Sequence, residues 1–578
     1  MDFAGSLGLQ ERITLNSSET PSGLKSLALL AALFAIAVAA VFLSGDSQET
    51  GSDSLAKIQL AAITDQKSDV GYWGIDPDVW SGWKTHSNRL IPVYTFGTAQ
   101  ADGATNLNYY TGEQSSYRDE DRLRGLYGRV PEQTVDAAAT WMDQTDIARL
   151  QQAGVDAGKK YVFLVVFDGM SWQMTQNAAI YNQQKVTYDE GRGTGTLFQE
   201  YTADETTQFG FMVTSPHNNG TITNPTTQEI LNPGGAIRGG YKAAAGGRTP
   251  WDAHADDGYL IGSPQEGNPI HAYTDSASSA TSMMAGIKTY NNAIGVDSTG
   301  QPVPSIAHDL QDHGWALGVV TSVPFSHATP AAAYSHNVTR KDYQDISRDL
   351  LGLPSVSHPE PLAGLDVVIG AGYGVTEDED EDQGDNYESG NKYLADSDLK
   401  TLQSDGRYVV ALRTASQSGQ TVLRKAARIA VKDRKRLFGF FGTQFDHLPY
   451  ETADGAFNPM PDVAADDESY TEADLKENPD LAEMTRAALQ VLESRGDRFW
   501  MLMEAGDVDW ASHANNLDHA IGAVNSGDRA VQVIVDWVEK NSNWDESLMI
   551  VTSDHGHLFQ LKNPELLINS AQDAKAAE

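Results

Sequence analysis

"YVFLVVF", Tyr161 to Phe167, is an unbroken apolar run of β-branched and aromatic residues that stops abruptly at Asp168-Gly169. Such a run fits a strand buried on both faces. The same grammar recurs three times. "ALGVVTS", Ala316 to Ser322, leads to His327 and Thr329; "FWMLM", Phe499 to Met503, ends at Glu504; "SLMIVTS", Ser547 to Ser553, ends at Asp554-His555. Helical patterns lie between them, such as "SIAHDLQDHG" from Ser305 and the segment from His519 to Asn541. Strands alternating with helices predict a mainly parallel sheet covered on both faces. Ligands of such sheets gather beyond the carboxyl ends of the strands. One Asp after a strand would say little, because Asp also serves turns. Four strands that each deliver a carboxylate, imidazole or hydroxyl predict one polar site assembled from distant sequence.

Composition narrows what that site can be. The formal charge of −38 repels phosphate backbones and argues against nucleic-acid binding. The chain has no cysteine, so any metal must be held by His, Asp, Glu and hydroxyl groups. "LALLAALFAIAVAAVFL", Leu27 to Leu43, is long enough for a minimal membrane span, with Lys25 before it and Asp46, Glu49 and Asp53 after it. The charge bias places residues 1–26 as a cytoplasmic tail, and the long polar lead-in favours an uncleaved anchor over a cleaved signal. The bulk of the chain is then expected outside the cytoplasm, in the periplasm or at the cell surface. Residues 44–70 read as a polar linker, 71–155 as a loop-rich extension, and 156–578 as the main domain. Within it, 212–268 and the acidic run 375–391 read as surface insertions.

Several short stretches carry chemistry. In "HAYTDSASSATSMMAGIKTYNNAIG", Asp275 and Ser276 precede a row of small residues. That pattern fits a small-residue helix packed close to a neighbour, or a serine nucleophile on a first helical turn that favours an anion. "EAGDVDWASHANN" sets Asp509 and His513 four residues apart, one helical face and a metal-ligand spacing, downstream of Glu504. "TSDHGH" places Asp554 beside His555. "SHATPAAAYSHNVTR" supplies His327, Thr329 and Arg340, whose guanidinium can fork onto two oxygens of a tetrahedral anion.

Taken in order, DG, T-D-S-A-x-S-A-T with K-T-Y-N, A-T-P-A with H and R, E-x4-D-x3-H and T-x-D-H-x-H resemble the motifs of the alkaline phosphatases, over Tyr161 to about Phe559. The resemblance implies a three-layer α/β/α sandwich around a mainly parallel sheet, and hydrolysis of small phosphate monoesters with release of inorganic phosphate. It implies Ser276 as the residue that becomes phosphoserine, Arg340 as the phosphate grip and Asp275 as its brace. It assigns Asp168, Asp554 and His555 to one Zn2+ site, and Asp168, Thr329 and Glu504 to a Mg2+ site. Asp509 and His513 would be two of three ligands of a second Zn2+ site. His327 and Trp510 follow a variant of the pattern in which these positions tune magnesium binding, and the family allows a homodimer. The third ligand of the second zinc is, in the family, a histidine well downstream of D-H-x-H, whereas no histidine follows His557 here. The expectation is therefore a truncated copy with one incomplete zinc site, His557 being the nearest substitute. The alternative function is a phosphate- or metal-binding remnant.

Overall fold

A computed structural model describes residues 54–78, 86–236, 239–261, 273–461 and 467–577. Its centre is a ten-stranded sheet. In chain order the strands are β1 (Ile91–Phe96), β2 (Met142–Asp143), β3 (Tyr161–Phe167), β4 (Gln208–Val213) and β5 (Ala316–Pro324). They continue with β6 (Val367–Ala371), β7 (Tyr408–Leu412), β8 (Arg436–Phe440), β9 (Phe499–Ala505) and β10 (Ser547–Thr552). The spatial order is β7-β8-β6-β5-β9-β3-β10-β1-β4-β2. Strands β7 to β10 in that row are all parallel. β1 runs against both neighbours, β10 and β4, and β2 lies parallel to β4.

Burial on both faces explains the unbroken apolar runs. Along β3, Phe163, Val165 and Phe167 join one core, while Val162, Leu164 and Val166 join the core on the opposite face. The first face is covered by helices that include α3 (Trp172–Gln183), α6 (Gly419–Asp433), α7 (Leu481–Arg495) and α9 (Leu517–Asn541). The second is covered by helices that include α2 (Asp146–Asp156), α4 (Ser276–Ala285) and α5 (Ala328–Ala332). The layered α/β expectation thus describes the sheet, with one antiparallel strand making it mixed. Close approach is needed where α9 crosses the sheet. A Cβ on Gly527 would lie 2.2 Å from Phe167 Cε1, so the helix can sit this near only with glycine there.

Three segments differ from their sequence expectation, and the acidic run keeps its expected place at the surface. Ser54–Asp65, inside the expected linker, is helix α1. Its Leu55, Gln59 and Ala62 are buried on one face, and Gln59 donates to the Asn515 carbonyl and accepts from Leu517 N–H. The expected extension 71–155 contributes β1, β2 and α2 and is part of the sheet's body. Within 212–268, residues up to Val213 complete the interior strand β4, and Tyr241, Tyr259 and Leu260 pack in a satellite core. The acidic run closes as a short hairpin, Thr376–Glu377 against Gly390–Asn391, tied down by Lys392–Glu377 at 2.9 Å and Lys341–Asp382 at 2.7 Å. Among the described residues no helix is long and apolar enough to cross a membrane. The tail 1–26, the run Leu27–Leu43 and the linker up to residue 53 lie outside them.

Candidate active site

The carboxyl ends of β3, β5, β9 and β10 converge, and each delivers its polar residue there. β3 ends at Asp168, followed by Gly169 at φ +72°, a conformation glycine adopts without cost. A Cβ at Gly169 would meet Asp509 Oδ1 at 3.0 Å, so this glycine also lets two carboxylate-bearing segments close on each other. β10 delivers Asp554 and His555, with Asp554 Oδ1 accepting the N–H groups of Gly169 (3.1 Å) and His555 (2.9 Å). β9 delivers Glu504 and leads into α8 (Asp507–His513), which puts Asp509 and His513 on one turn. β5 delivers Thr321, whose hydroxyl donates to Glu504 Oε2, and then the loop bearing His327 and Thr329.

Ser276 is the first residue of α4, capped by Asp275, whose Oδ1 accepts Ser278 N–H at 3.0 Å. The small residues that follow are buried, so the helix start can approach the strand ends closely. Ser276 Oγ lies 3.2 Å from His555 Nε2 and 3.4 Å from Asp168 Oδ1. Asp275 Oδ2 meets Arg340 Nη1 at 3.3 Å, and Arg340 keeps 24% of its side chain exposed. His327 and Trp510 stand as neighbouring rings with centroids 5.3 Å apart.

Among the described residues two clusters offer converging metal-ligand atoms: Asp168, Asp554 and His555, and His86, Asp509, His513 and His557. Within each, the atoms lie within 4.8 Å of one another. The first fits a cation on two grounds. Asp554 Oδ2 is buried without a hydrogen-bond partner, and such an atom is costly unless something electropositive meets it. Burial disfavours the charged ring of His555, yet Asp554, then Asp168 and Asp509, outweigh it and raise its pKa to about 10. The pocket therefore demands positive charge. Burial, followed by Asp554 and Asp509, pushes the Asp168 carboxyl well up. Glu504 is raised to about 7, mainly by burial, with Thr321 and Thr329 opposing. Asp509 goes the other way: burial opposes ionisation, but His513 and His557 hold it well below the usual carboxylate range.

Sequence reasoning missed His86. It reaches the second cluster from the segment ahead of β1, and His557 joins from beyond β10. Four candidate ligands thus meet where the sequence named Asp509 and His513, with His557 the nearest substitute for a third. The available signal was a histidine heading the apolar run "LIPVYTF". That run inverts the grammar of the other strands because β1 is antiparallel.

Comparison with known proteins identifies the family. Residues 241–575 match the model of the family described as alkaline phosphatase. Alkaline phosphatase 3 of Bacillus subtilis (strain 168) is 28% identical over 304 residues, covering 52% of this chain and 53% of that protein. Streptomycin-6-phosphate phosphatase of Streptomyces griseus is 28% identical over 344 residues, 56% of this chain and 70% of that one. The solved alkaline phosphatase of the Antarctic bacterium TAB5 aligns at 19% identity over 69% of this chain and 80% of its own, with a TM-score of 0.40. The chain spans about half the length of the first Bacillus relatives it matches.

Proposed function

The chain belongs to the alkaline phosphatase family, and on that premise we propose that it is a phosphomonoesterase working through a phosphoserine at Ser276. The observation that carries the reading is the place of Ser276 Oγ, 3.2 Å from His555 and 3.4 Å from Asp168, with the Arg340–Asp275 pair beside it. Asp168, Asp554 and His555 would hold one Zn2+, Asp168, Thr329 and Glu504 a Mg2+, and Asp509 and His513 contribute to a second Zn2+. Bound cations would neutralise the ester dianion and steady the entering and leaving oxygens of an in-line displacement.

The chain's own groups do the rest. The Arg340 guanidinium forks onto two phosphoryl oxygens, and Asp275 keeps it aimed. The N-terminal turn of α4, which begins at Ser276, favours the same anion through the helix dipole. Ser276 Oγ bonds to phosphorus as the ester P–O bond breaks, and the alcohol leaves with a proton. Water then attacks the phosphoserine, the Ser276 O–P bond breaks, and inorganic phosphate is released with the hydroxyl restored. The remnant alternative rested on the missing third ligand, and the convergence of His86 and His557 on Asp509 and His513 supports the enzyme reading over it. The apolar run Leu27–Leu43 supports an exported, membrane-anchored protein.

The test is p-nitrophenyl phosphate hydrolysis at alkaline pH with zinc and magnesium supplied. Turnover is expected, and Ser276→Ala should remove both it and the acid-stable phosphoprotein while keeping the metals. A phosphoprotein that survives in Ser276→Ala would refute the nucleophile.

A further inference from the structure

We infer that His86, upstream of the residues that match the family, is the ligand that completes the second metal site, and that His557 braces Asp509 without touching the metal. The inference deepens the proposed function, since it rests on this site holding a divalent cation. His86 lies far ahead of the matched segment 241–575.

Topology brings it there. β1 is antiparallel to β10, so its beginning, not its end, lies at the carboxyl edge where the site is built. Thr552 Oγ1 donates to Pro92 O at 2.9 Å, marking where that start sits. Ahead of it, His86–Ser87 pairs antiparallel with Gly556–His557, placing His86 directly across from His557. The His86 ring then stacks on His555, centroids 3.8 Å apart and 21° from parallel.

Hydrogen bonding fixes which nitrogen is available. His86 Nδ1 lies 2.9 Å from the Thr274 carbonyl, which can only accept, so Nδ1 carries the proton and Nε2 a lone pair. Thr274 stands two residues before Ser276, so the same contact ties the metal ligand to the nucleophile's helix.

Distances separate the two histidines. Two donors on a tetrahedral zinc, each about 2.0–2.1 Å from it, stand about 3.3 Å apart. His86 Nε2 is 3.0 Å from His513 Nε2 and 3.7 Å from Asp509 Oδ1, and His513 Nε2 is 3.4 Å from Asp509 Oδ1. These three separations bracket the tetrahedral value. His557 Nε2 is 2.7 Å from Asp509 Oδ1. That is the length of a charge-assisted hydrogen bond, too short for two donors sharing a zinc. His557 therefore spends its Nε2 proton on the carboxylate, the arrangement by which an outer partner orients a metal ligand. Three protein ligands with one open position is also the pattern of a catalytic zinc, and His513, 39% exposed, leaves that side open to solvent.

The experiment uses the full chain, stripped of metal and reloaded with zinc or cobalt, with binding as its readout. In zinc competition titrations, His86→Ala should weaken one equivalent by more than about 100-fold, whereas His557→Ala should stay within the about 10–100-fold typical of an outer partner. The chain has no cysteine, so a single introduced thiolate is spectroscopically unambiguous. Cobalt-loaded His86→Cys should show a thiolate-to-cobalt charge-transfer band and His557→Cys should not. That arm stands even if His86→Ala fails to fold. A folded, cobalt-loaded His86→Cys without the band, or the band in His557→Cys alone, overturns the assignment. Neither readout depends on turnover, so a protein that binds metal through His86 and hydrolyses no ester would sink the phosphatase reading and leave this one standing.

Discussion

At the scale of single residues the site is a balance of charge. Asp168, Asp509 and Asp554 meet around His555, and Arg340, paired with Asp275, brings permanent positive charge. Burial lowers that guanidinium's pKa, but Asp275 and Tyr343 more than compensate, so it stays charged at any working pH. Arg340→Ala should therefore act on phosphate more than on the metals. Hydrogen bonds to charged groups contribute about 1.5–3 kcal/mol, so the inhibition constant for inorganic phosphate should rise roughly 10- to 150-fold. Steady-state product inhibition reads it directly, and an unchanged constant would remove the residue from the phosphate site. Most of these residues were legible in the sequence because each follows a buried apolar run or sits in a dense motif. His86 was not. Its neighbours carry no motif, and it precedes its strand, where a search for residues after strands does not look.

At the scale of elements, the long parallel strands declared themselves and the short ones did not. β3, β5, β9 and β10 are runs of six to nine residues with both faces buried. β6, β7 and β8 have five residues each, too few for periodicity to separate strand from buried helix. β1 contains Pro92 and lies amid turn-rich sequence, which hides its strand character. Helix α9 was legible from its apolar spacing, but its acid sensitivity needed the structure. On α9, burial lowers the pKa of His519 to about 4. Its Nε2 lies 3.1 Å from the Asn458 carbonyl, and its Nδ1 is buried without a hydrogen-bond partner. Protonation would place a charge and a proton on Nδ1 where no acceptor waits. The folded pKa lies below the unfolded value near 6.5, so the unfolded chain binds this proton more readily. The stabilisation is complete above about pH 6.5 and is lost as pH falls toward about 4, amounting to roughly 3 kcal/mol. His519→Gln keeps an N–H for Asn458 without titrating. Urea unfolding at pH 7 and pH 4.5 should show a smaller acid loss in the variant. Parallel losses in both proteins would place the acid sensitivity elsewhere.

At the scale of the whole molecule, residues from both ends of the described chain are interleaved. Gly71–Trp73 pairs with Phe559–Leu561, His86–Ser87 with Gly556–His557, and β1 lies between β10 and β4. α1 joins the same core as α9 and α10 (Pro564–Ala577), through Leu55, Val524 and Leu567. Composition made residues 71–155 look like an appendage because contacts this distant in sequence leave no local periodicity. The structure puts β1 inside the sheet and packs α2 on one of its faces. All six residues of β1 are buried, and removing them would strip the ladder partners from both β10 and β4. Edges exposed in that way recruit other chains. A protein lacking residues 1–97 should therefore aggregate or fail to melt cooperatively, despite retaining the whole matched segment 241–575. A protein of residues 53–578 keeps every one of these pairings and should melt as a single cooperative unit. Expression of the two side by side, with solubility and calorimetric melting as readouts, compares them directly. If the shorter protein folded and melted cooperatively, β1 would be dispensable and the ten-stranded sheet would not be the folding unit.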